Sequence, residues 1–524
     1  MHSSTLLQGL LGQTFFQMTT NSSIASSQAK PNVLRCLSAG NVPYATADSP
    51  NWTALSTPFN LRLQYDPAVI TIPETEDQVS KSIVCAAAAG LKVQPKGGGH
   101  SYASHSTGGQ HGSLVIQMEK FSDITVDQTT FIAKIGAGQR LGNVAEALYK
   151  QGKRALPHGT CPGVGVAGHV LHGGYGYASR KWGLALDHIV ALDVVLANGS
   201  QVHTTETTYP DVFWSMKGAG ESFGVATYMY FQTMQAPDSV VYFLSDLAAQ
   251  MHNTSAADAV DALARGFEVL QEFSLTSPLL TPNNTFGTYV DSNGTFVLRG
   301  WCMDCNASIF ASTVLPEMVA GYPGHIDNVT ELGWIEALTE LADPDPLAQA
   351  LGSGYTLHDT FHVKSLVTKD DIPLSTGVMK AYFSEVLANQ GKGQFFSIIN
   401  IYGGPGSAIN TTPANGSAYS GRDSFWVIQN YGRTANGELP WDADITGIVD
   451  VLTNVMFLAQ PEGKFTAYVN YVDPDLSAQR AAREYYGAAT YNRLLALKRV
   501  LDPDFVFWHP QAVGMAVEFY NDLD

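Results

Sequence analysis

No apolar run in this chain approaches the roughly 20 residues that a membrane-crossing helix needs, so a membrane-spanning helix is excluded. Basic residues are scarce, 29 Lys and Arg against 47 Asp and Glu, for a formal net charge of -18. Nucleic acid and anionic membrane surfaces would repel such a chain, so neither is expected as a partner. Cysteine is rarer still: there are five, and five cannot all pair within one molecule. The chain holds no P-loop, and its glycine run PKGGGHSYASHSTGG, residues 95–109, is not a G-x-G-x-x-G opening a helix.

What is present suits a soluble, monomeric protein with a small-molecule partner. The 524 residues, 45% hydrophobic and 15% charged, suffice for two or three domains with real cores. Residues 1–32 read as a leader or poor signal segment, weakly apolar but without a basic start or a clean cleavage site. Sequons at Asn21, Asn51, Asn198, Asn253, Asn283, Asn293, Asn306, Asn328, Asn410 and Asn415 point to a secreted glycoprotein. In an oxidising compartment Cys36 pairs with Cys85, tying the N-terminal segment to a helix. Cys302 and Cys305 form C-x-x-C with no second C-x-x-C to complete a zinc site and no βαβ setting for redox chemistry, so a local disulfide and no metal is expected. Cys161 is left over.

The pattern divides the chain. Residues 33–236 alternate strands and helices, with RLGNVAEALYKQG at helical spacing and HIVALDVVLANGSQVHTT as a hairpin about Asn-Gly. Residues 237–464 mix long helices with strands, an α+β texture. Residues 465–524 are too few to stand alone and are expected to return to the first part.

Two glycine-rich loops stand out. PKGGGHSY, residues 95–102, lets backbone N–H groups approach an anion such as a pyrophosphate. GTCPGVGVAGH, residues 159–169, carries the unpaired Cys161. Either loop alone reads as a turn. Together with HGGYG at 172–176, FGVA at 223–226, NYVD at 470–473 and the C-terminal YYGAATYNRLLALKRVLDPDFVF, they resemble the vanillyl-alcohol-oxidase superfamily, and within it the berberine-bridge-enzyme-like branch.

The resemblance implies a two-domain α+β fold, one part binding FAD and the other an antiparallel sheet covered by helices. It implies FAD held covalently by His100 and Cys161. Lys96, Gly97, Gly98, Gly99, Ser101, Tyr102, Gly165, Gly168, His169, Gly173, Gly174, Gly176, Gly224, Val225 and Asn470 complete the cofactor site. Two tethers withdraw electrons from the ring, so that it can take a hydride from a poor donor. Val164, three residues after the cysteine, matches members that react with O2 and release hydrogen peroxide.

On the substrate side, Tyr471 matches the family's phenolic base, and Tyr102 lines the pocket. The fungal oligosaccharide oxidases are similar in DSFWVIQNY, where Gln429 matches a sugar-binding glutamine. Along FFSIINIYGG the match breaks. Asn400 stands where an aspartate partners the tyrosine, Ile398 replaces a glutamine and Phe396 a tryptophan. Asn can hydrogen-bond a phenol but cannot take its proton. The resemblance therefore implies an oxidase of the C1 hydroxyl of a reducing sugar, with two alternatives: the same chemistry on an aromatic or secondary-metabolite alcohol, or a non-catalytic glycoprotein on this fold.

Overall fold

The computed structural model describes residues 30–248 and 255–516; the leader up to residue 29 and the sequons at Asn21 and Asn253 lie outside the described residues. Strands β1 (Tyr44–Ala45), β2 (Val69–Thr71), β3 (Val93–Lys96) and β4 (Leu114–Gln117) form a sheet in the order β1-β2-β4-β3. Both β2 and β3 run parallel to β4, and parallel neighbours need crossover connections. The first crossover contains the helix Glu76–Ala88, started by Thr75, whose hydroxyl accepts from the Gln78 N–H, with Glu76 and Asp77 at its positive end. The second is the glycine loop itself, which thus leaves from the carboxyl end of β3.

A second sheet joins β5 (Ile124–Val126), β6 (Ile132–Gly136), β8 (Ile189–Val195), β9 (Gln201–Thr204) and β10 (Val225–Gln232) in the antiparallel order β5-β6-β10-β8-β9. Two short strands, β7 (Arg154–Ala155) and β11 (Met234–Gln235), pair separately.

The third sheet has seven antiparallel strands: β12 (Val240–Asp246), β13 (Asn284–Asp291), β14 (Phe296–Met303), β15 (Ile326–Leu332), β16 (Phe361–Lys369), β17 (Gln394–Ile401) and β18 (Ser424–Arg433). Their order is β15-β12-β14-β13-β17-β18-β16. Strand periodicity splits it into two faces. Phe243, Phe286, Leu298, Phe395 and Ile399 pack against Leu263, Phe267, Val378, Phe383 and Leu452 from helices Ala256–Thr276, Thr376–Ala388 and Ala443–Ala459. The other face gives Val240, Tyr242, Trp301, Val367 and Val427 to the core shared with the first part of the chain.

After the third sheet the chain returns to the first two through the helix Ala478–Leu501. Lys498, fully buried, pairs with Asp502 at 2.7 Å and donates to the Ser222 carbonyl, and Val93 bridges to Phe507. Cys36–Cys85 and Cys302–Cys305 are disulfides, and Cys161 is free. Among the described residues no helix is long and apolar enough to cross a membrane.

Candidate active site

The two glycine loops touch backbone to backbone. A methyl group on Gly98 would stand 2.3 Å from the Gly165 Cα, and one on Gly165 would stand 2.3 Å from the Gly98 nitrogen. Gly99 has φ +71°, a region that favours glycine. This contact closes the wall of a cleft whose empty volume, open side included, is about 1330 Å³.

The wall is prepared for an anionic, bulky guest. Among the described residues, no backbone N–H of residues 97–102 is hydrogen-bonded to a protein acceptor, and all six residues line the cleft. Backbone donors in such a position need a partner, and consecutive ones form an anion-binding nest. Ser106 on the same wall has a buried hydroxyl without a partner. A methyl on Gly168, which lines the cleft, would meet nothing within 4 Å, so protein packing does not require a glycine there. The residues fit a dinucleotide whose pyrophosphate sits on the 97–102 loop.

The unpaired thiol comes to this cleft. Cys161 Sγ lies 3.9 Å from His100 Nε2, a convergence of residues 61 apart in sequence. The imidazole stacks on Phe59, ring centroids 3.6 Å apart. Burial, and then the neighbouring Arg140 charge, hold His100 down at about 3, so the ring is neutral with a free lone pair. Burial pushes the Cys161 thiol above its ordinary value, against N–H donation from Gly163 and Val164. Arg140 was not singled out from the sequence; a lone arginine in GQRLG carries no signal. It is 2% exposed, lies under the Tyr355 ring at 3.6 Å, and donates to the Ala350 and Gly163 carbonyls.

Several expected cofactor residues lie elsewhere. Lys96 ends β3 and turns away from the cleft, giving its ammonium to the Leu55 carbonyl at 2.7 Å; burial lowers it to about 8. Gly173 and Gly174, at φ +127° and +84°, form the turn behind the wall, where the Tyr468 hydroxyl accepts the Gly174 N–H. Gly176 packs on the His158 backbone, and Val225 is a core residue paired with Val195. Glycine in these positions serves chain packing, which a motif match cannot distinguish from ligand contact. Ser101, Tyr102, Val164, Gly165, Gly168, His169, Gly224 and Asn470 do line the cleft. Asn470 braces the wall by donating to the His169 carbonyl at 2.9 Å.

A buried polar cluster at the cleft was also missed. Glu221 accepts from His172 and, at 3.1 Å, from His509, which stacks on His105 with centroids 4.1 Å apart. Both imidazoles hold the Glu221 carboxyl well below its usual range, and Glu221 raises His172. His172 stood in the HGGYG motif, but its partners are distant in sequence.

These environments have a pH consequence. Burial lowers His105 well below 6.5 and His169 to about 3, so at mild acidity the unfolded chain binds protons that the folded chain refuses. The contribution of these two histidines is complete above pH 6.5 and falls as pH drops below it. His169 alone accounts for up to roughly 3 kcal/mol between pH 6.5 and 4.5. The Glu221–His172 pair is undiminished in that window, because its loss begins only below the ordinary carboxylate pKa or above the ordinary imidazole pKa. Denaturant unfolding at pH 7 and pH 4.5 checks this; equal stability would show that the folded state accepts these protons.

Tyr102, on the cleft wall, meets the other face of the third sheet. Register aligns Phe396 with Tyr431 and Ile398 with Gln429 on β17 and β18. Gln429 donates to the Tyr102 hydroxyl at 3.2 Å, joining sheet to glycine loop. Tyr471 lies parallel to Tyr102, centroids 6.2 Å apart, and edge-on to Tyr468 at 5.1 Å. Burial and the phenols of Tyr102, Tyr468 and Tyr177 keep its pKa well above 10, while the Tyr402 hydroxyl draws it down. Phe396 stacks on Tyr431 at 4.6 Å.

Asn400 is on this face, but among the described residues it makes no hydrogen bond to Tyr471. It leans across Gly287 of β13, where a methyl group would stand 2.0 Å from its Oδ1, and that oxygen is buried without a partner. The side chain occupies the space that the missing Gly287 side chain leaves, and Tyr402, two residues on, takes the place beside the phenol.

The chain matches two family models, an FAD binding domain over residues 67–205 and a berberine and berberine-like segment over residues 467–514. It is 35% identical to a xylooligosaccharide oxidase of Thermothelomyces thermophilus, over 94% of this chain and 97% of that one. It is 33% identical to a chitooligosaccharide oxidase of Gibberella zeae, over 98% and 99% of the two chains. The solved glucooligosaccharide oxidase from Acremonium strictum, described as carrying a 6-S-cysteinyl, 8α-N1-histidyl FAD, superposes with TM-score 0.85 at 28% identity, covering 93% of this chain and 100% of that one.

Proposed function

Because the chain belongs to the berberine-bridge-enzyme-like family of FAD-dependent oxidases, we propose that it oxidises the C1 hydroxyl of a reducing mono- or oligosaccharide to the lactone, with O2 reduced to hydrogen peroxide. The observation that carries the reading is the meeting of His100 and Cys161 beside the nest of free N–H groups, opposite Tyr471 and the Gln429–Tyr102 pair. His100 and Cys161 are the two covalent ligands of the flavin, and residues 97–102 carry its pyrophosphate. When bound, the flavin accepts a hydride from the substrate and passes the electrons to O2. Val164, half-buried on the cleft wall, leaves room for O2 beside the cysteine loop.

The chain's own groups do the rest. Tyr471 takes the hydroxyl proton as the C–H bond breaks. Gln429 and Tyr102 hydrogen-bond neighbouring sugar hydroxyls, and Phe396 with Tyr431 offers an apolar platform for a sugar face. Asn400 brings no charge to the site and, among the described residues, no hydrogen bond to Tyr471. Two disulfides support a secreted enzyme glycosylated at exposed sequons. The half-buried Ile398 and Phe396 favour, as a second reading, the same chemistry on an aromatic or other non-sugar alcohol.

Oxygen uptake and peroxide release separate these readings. Cello-, xylo- or chito-oligosaccharides are expected to give one peroxide per lactone, with benzylic alcohols far slower. Turnover of benzylic alcohols alone would remove the sugar assignment, and reduced flavin that persists in air would remove the oxidase assignment.

A further inference from the structure

Among the described residues, arginines buried elsewhere give hydrogen bonds to carbonyls, amides, hydroxyls or a carboxylate. Arg180 donates to the Gly403, Thr281 and Asn284 carbonyls, Arg154 to Thr233 and Gln235, and Arg422 to both oxygens of Asp187. Arg299 differs. It sits half-buried on β14, and among the described residues no carboxylate lies within salt-bridge distance of it. Its surroundings are the phenols of Tyr177, to which it is hydrogen-bonded, Tyr242 and Tyr289, all neutral at physiological pH. A guanidinium withdrawn from water is costly unless an anion or several carbonyls accept its hydrogen bonds. Phenols are weak substitutes.

Register places that cation on the substrate face. Arg299 lies opposite Gly287, and Gly287 lies opposite Asn400, so the three form one row across β14, β13 and β17. The absent Gly287 side chain leaves a notch in the middle of the row. Asn400, 8% exposed with an unpartnered Oδ1, leans into that notch. Neighbouring strands are about 4.8 Å apart, so Arg299 stands roughly 10 Å along the face from Asn400, beyond the reacting end. Arg299 itself and Tyr289, Phe396 and Ile398 between and beside them are half-buried, while Tyr177 and Tyr242 cover the guanidinium from the other side and are buried.

We propose that Arg299 is a substrate-recognition residue that pairs with a carboxylate, and that the enzyme takes acidic oligosaccharides bearing a uronic acid beyond the oxidised end. This rests on the sugar reading above and deepens it. A carboxylate suits the planar guanidinium, which can hold both its oxygens at once.

The test uses the holoenzyme and matched pairs: a glucosyl-glucose disaccharide against its glucuronosyl analogue, and benzyl alcohol against 4-(hydroxymethyl)benzoate. Binding is followed by flavin absorbance and turnover by peroxide. The acid of the oxidised pair is expected to show kcat/KM about 10- to 100-fold above its neutral partner. That preference should shrink with salt. Arg299→Gln should erase it while changing the neutral partner by less than about threefold, and Arg299→Lys should restore part of it. Flavin content and Tm show that each variant is folded. Equal treatment of acid and neutral substrates by the wild type, or an equal loss for both in Arg299→Gln, would overturn the proposal. An acid preference confined to the aromatic pair would retain Arg299 and discard the sugar.

Discussion

Replacing Tyr471 by phenylalanine is expected to lower kcat/KM by about 10²- to 10⁴-fold, the usual worth of a positioned proton acceptor. The change keeps the ring parallel to Tyr102 and against Tyr468, so folding and flavin content should be unaltered. The pH profile makes the test specific. In this site the Tyr471 phenol is buried among other phenols and its pKa is held well above 10. Among the described residues neither Asn400 nor any carboxylate is hydrogen-bonded to it. A base with so high a pKa is mostly protonated at neutral pH, so log(kcat/KM) should climb with a slope near one through the alkaline range. Tyr471→Phe should flatten that climb. A wild-type profile that levels off near pH 6 would mean that a different group takes the proton, and the assignment of Tyr471 as base would fall.

The second large effect concerns the pair at the mouth of the nest. Wild-type protein is expected to stay yellow after acid denaturation, because both His100 and Cys161 hold the cofactor. Either His100→Ala or Cys161→Ser should leave a single link, and the double variant should release flavin to the supernatant. Each single variant should turn over at least about tenfold more slowly, a barrier increase of ~1.4 kcal/mol, because one electron-withdrawing substituent is lost. A redox titration of the bound flavin should show a lower potential in both. Wild-type flavin that washes out on denaturation would end the covalent assignment, whatever the activity. Retained flavin with unchanged potential in Cys161→Ser would remove the thiol from it.

Local chemistry was legible in the chain because it is local. Helix starts such as Thr75 with Glu76 and Asp77, the alternation in β10 and β17, and the Asn-Gly hairpin all depend on neighbours within a few residues. The loops at 95–102 and 159–169 could be paired as a cofactor site because their His, Cys and glycines are unusual residues at a definite spacing. Counting five cysteines left one over, and the oxidising context and the C-x-x-C spacing suggested the two pairs.

What the chain by itself determined, then, is the kind of element at each place, the flavin chemistry, and the residues with reactive atoms. Tertiary structure alone decided which glycines face the guest and which pack on protein, since Gly168 and Gly176 look alike in sequence. It turned Lys96 to the Leu55 carbonyl, brought Glu221 between His172 and His509, and set Arg140 beside His100. It also laid Asn400 over Gly287 and, among the described residues, left Arg299 with no carboxylate within salt-bridge distance. Each of these depends on strand register and on partners more than a hundred residues away or across a loop closure, and a register shift of one residue would reverse every face.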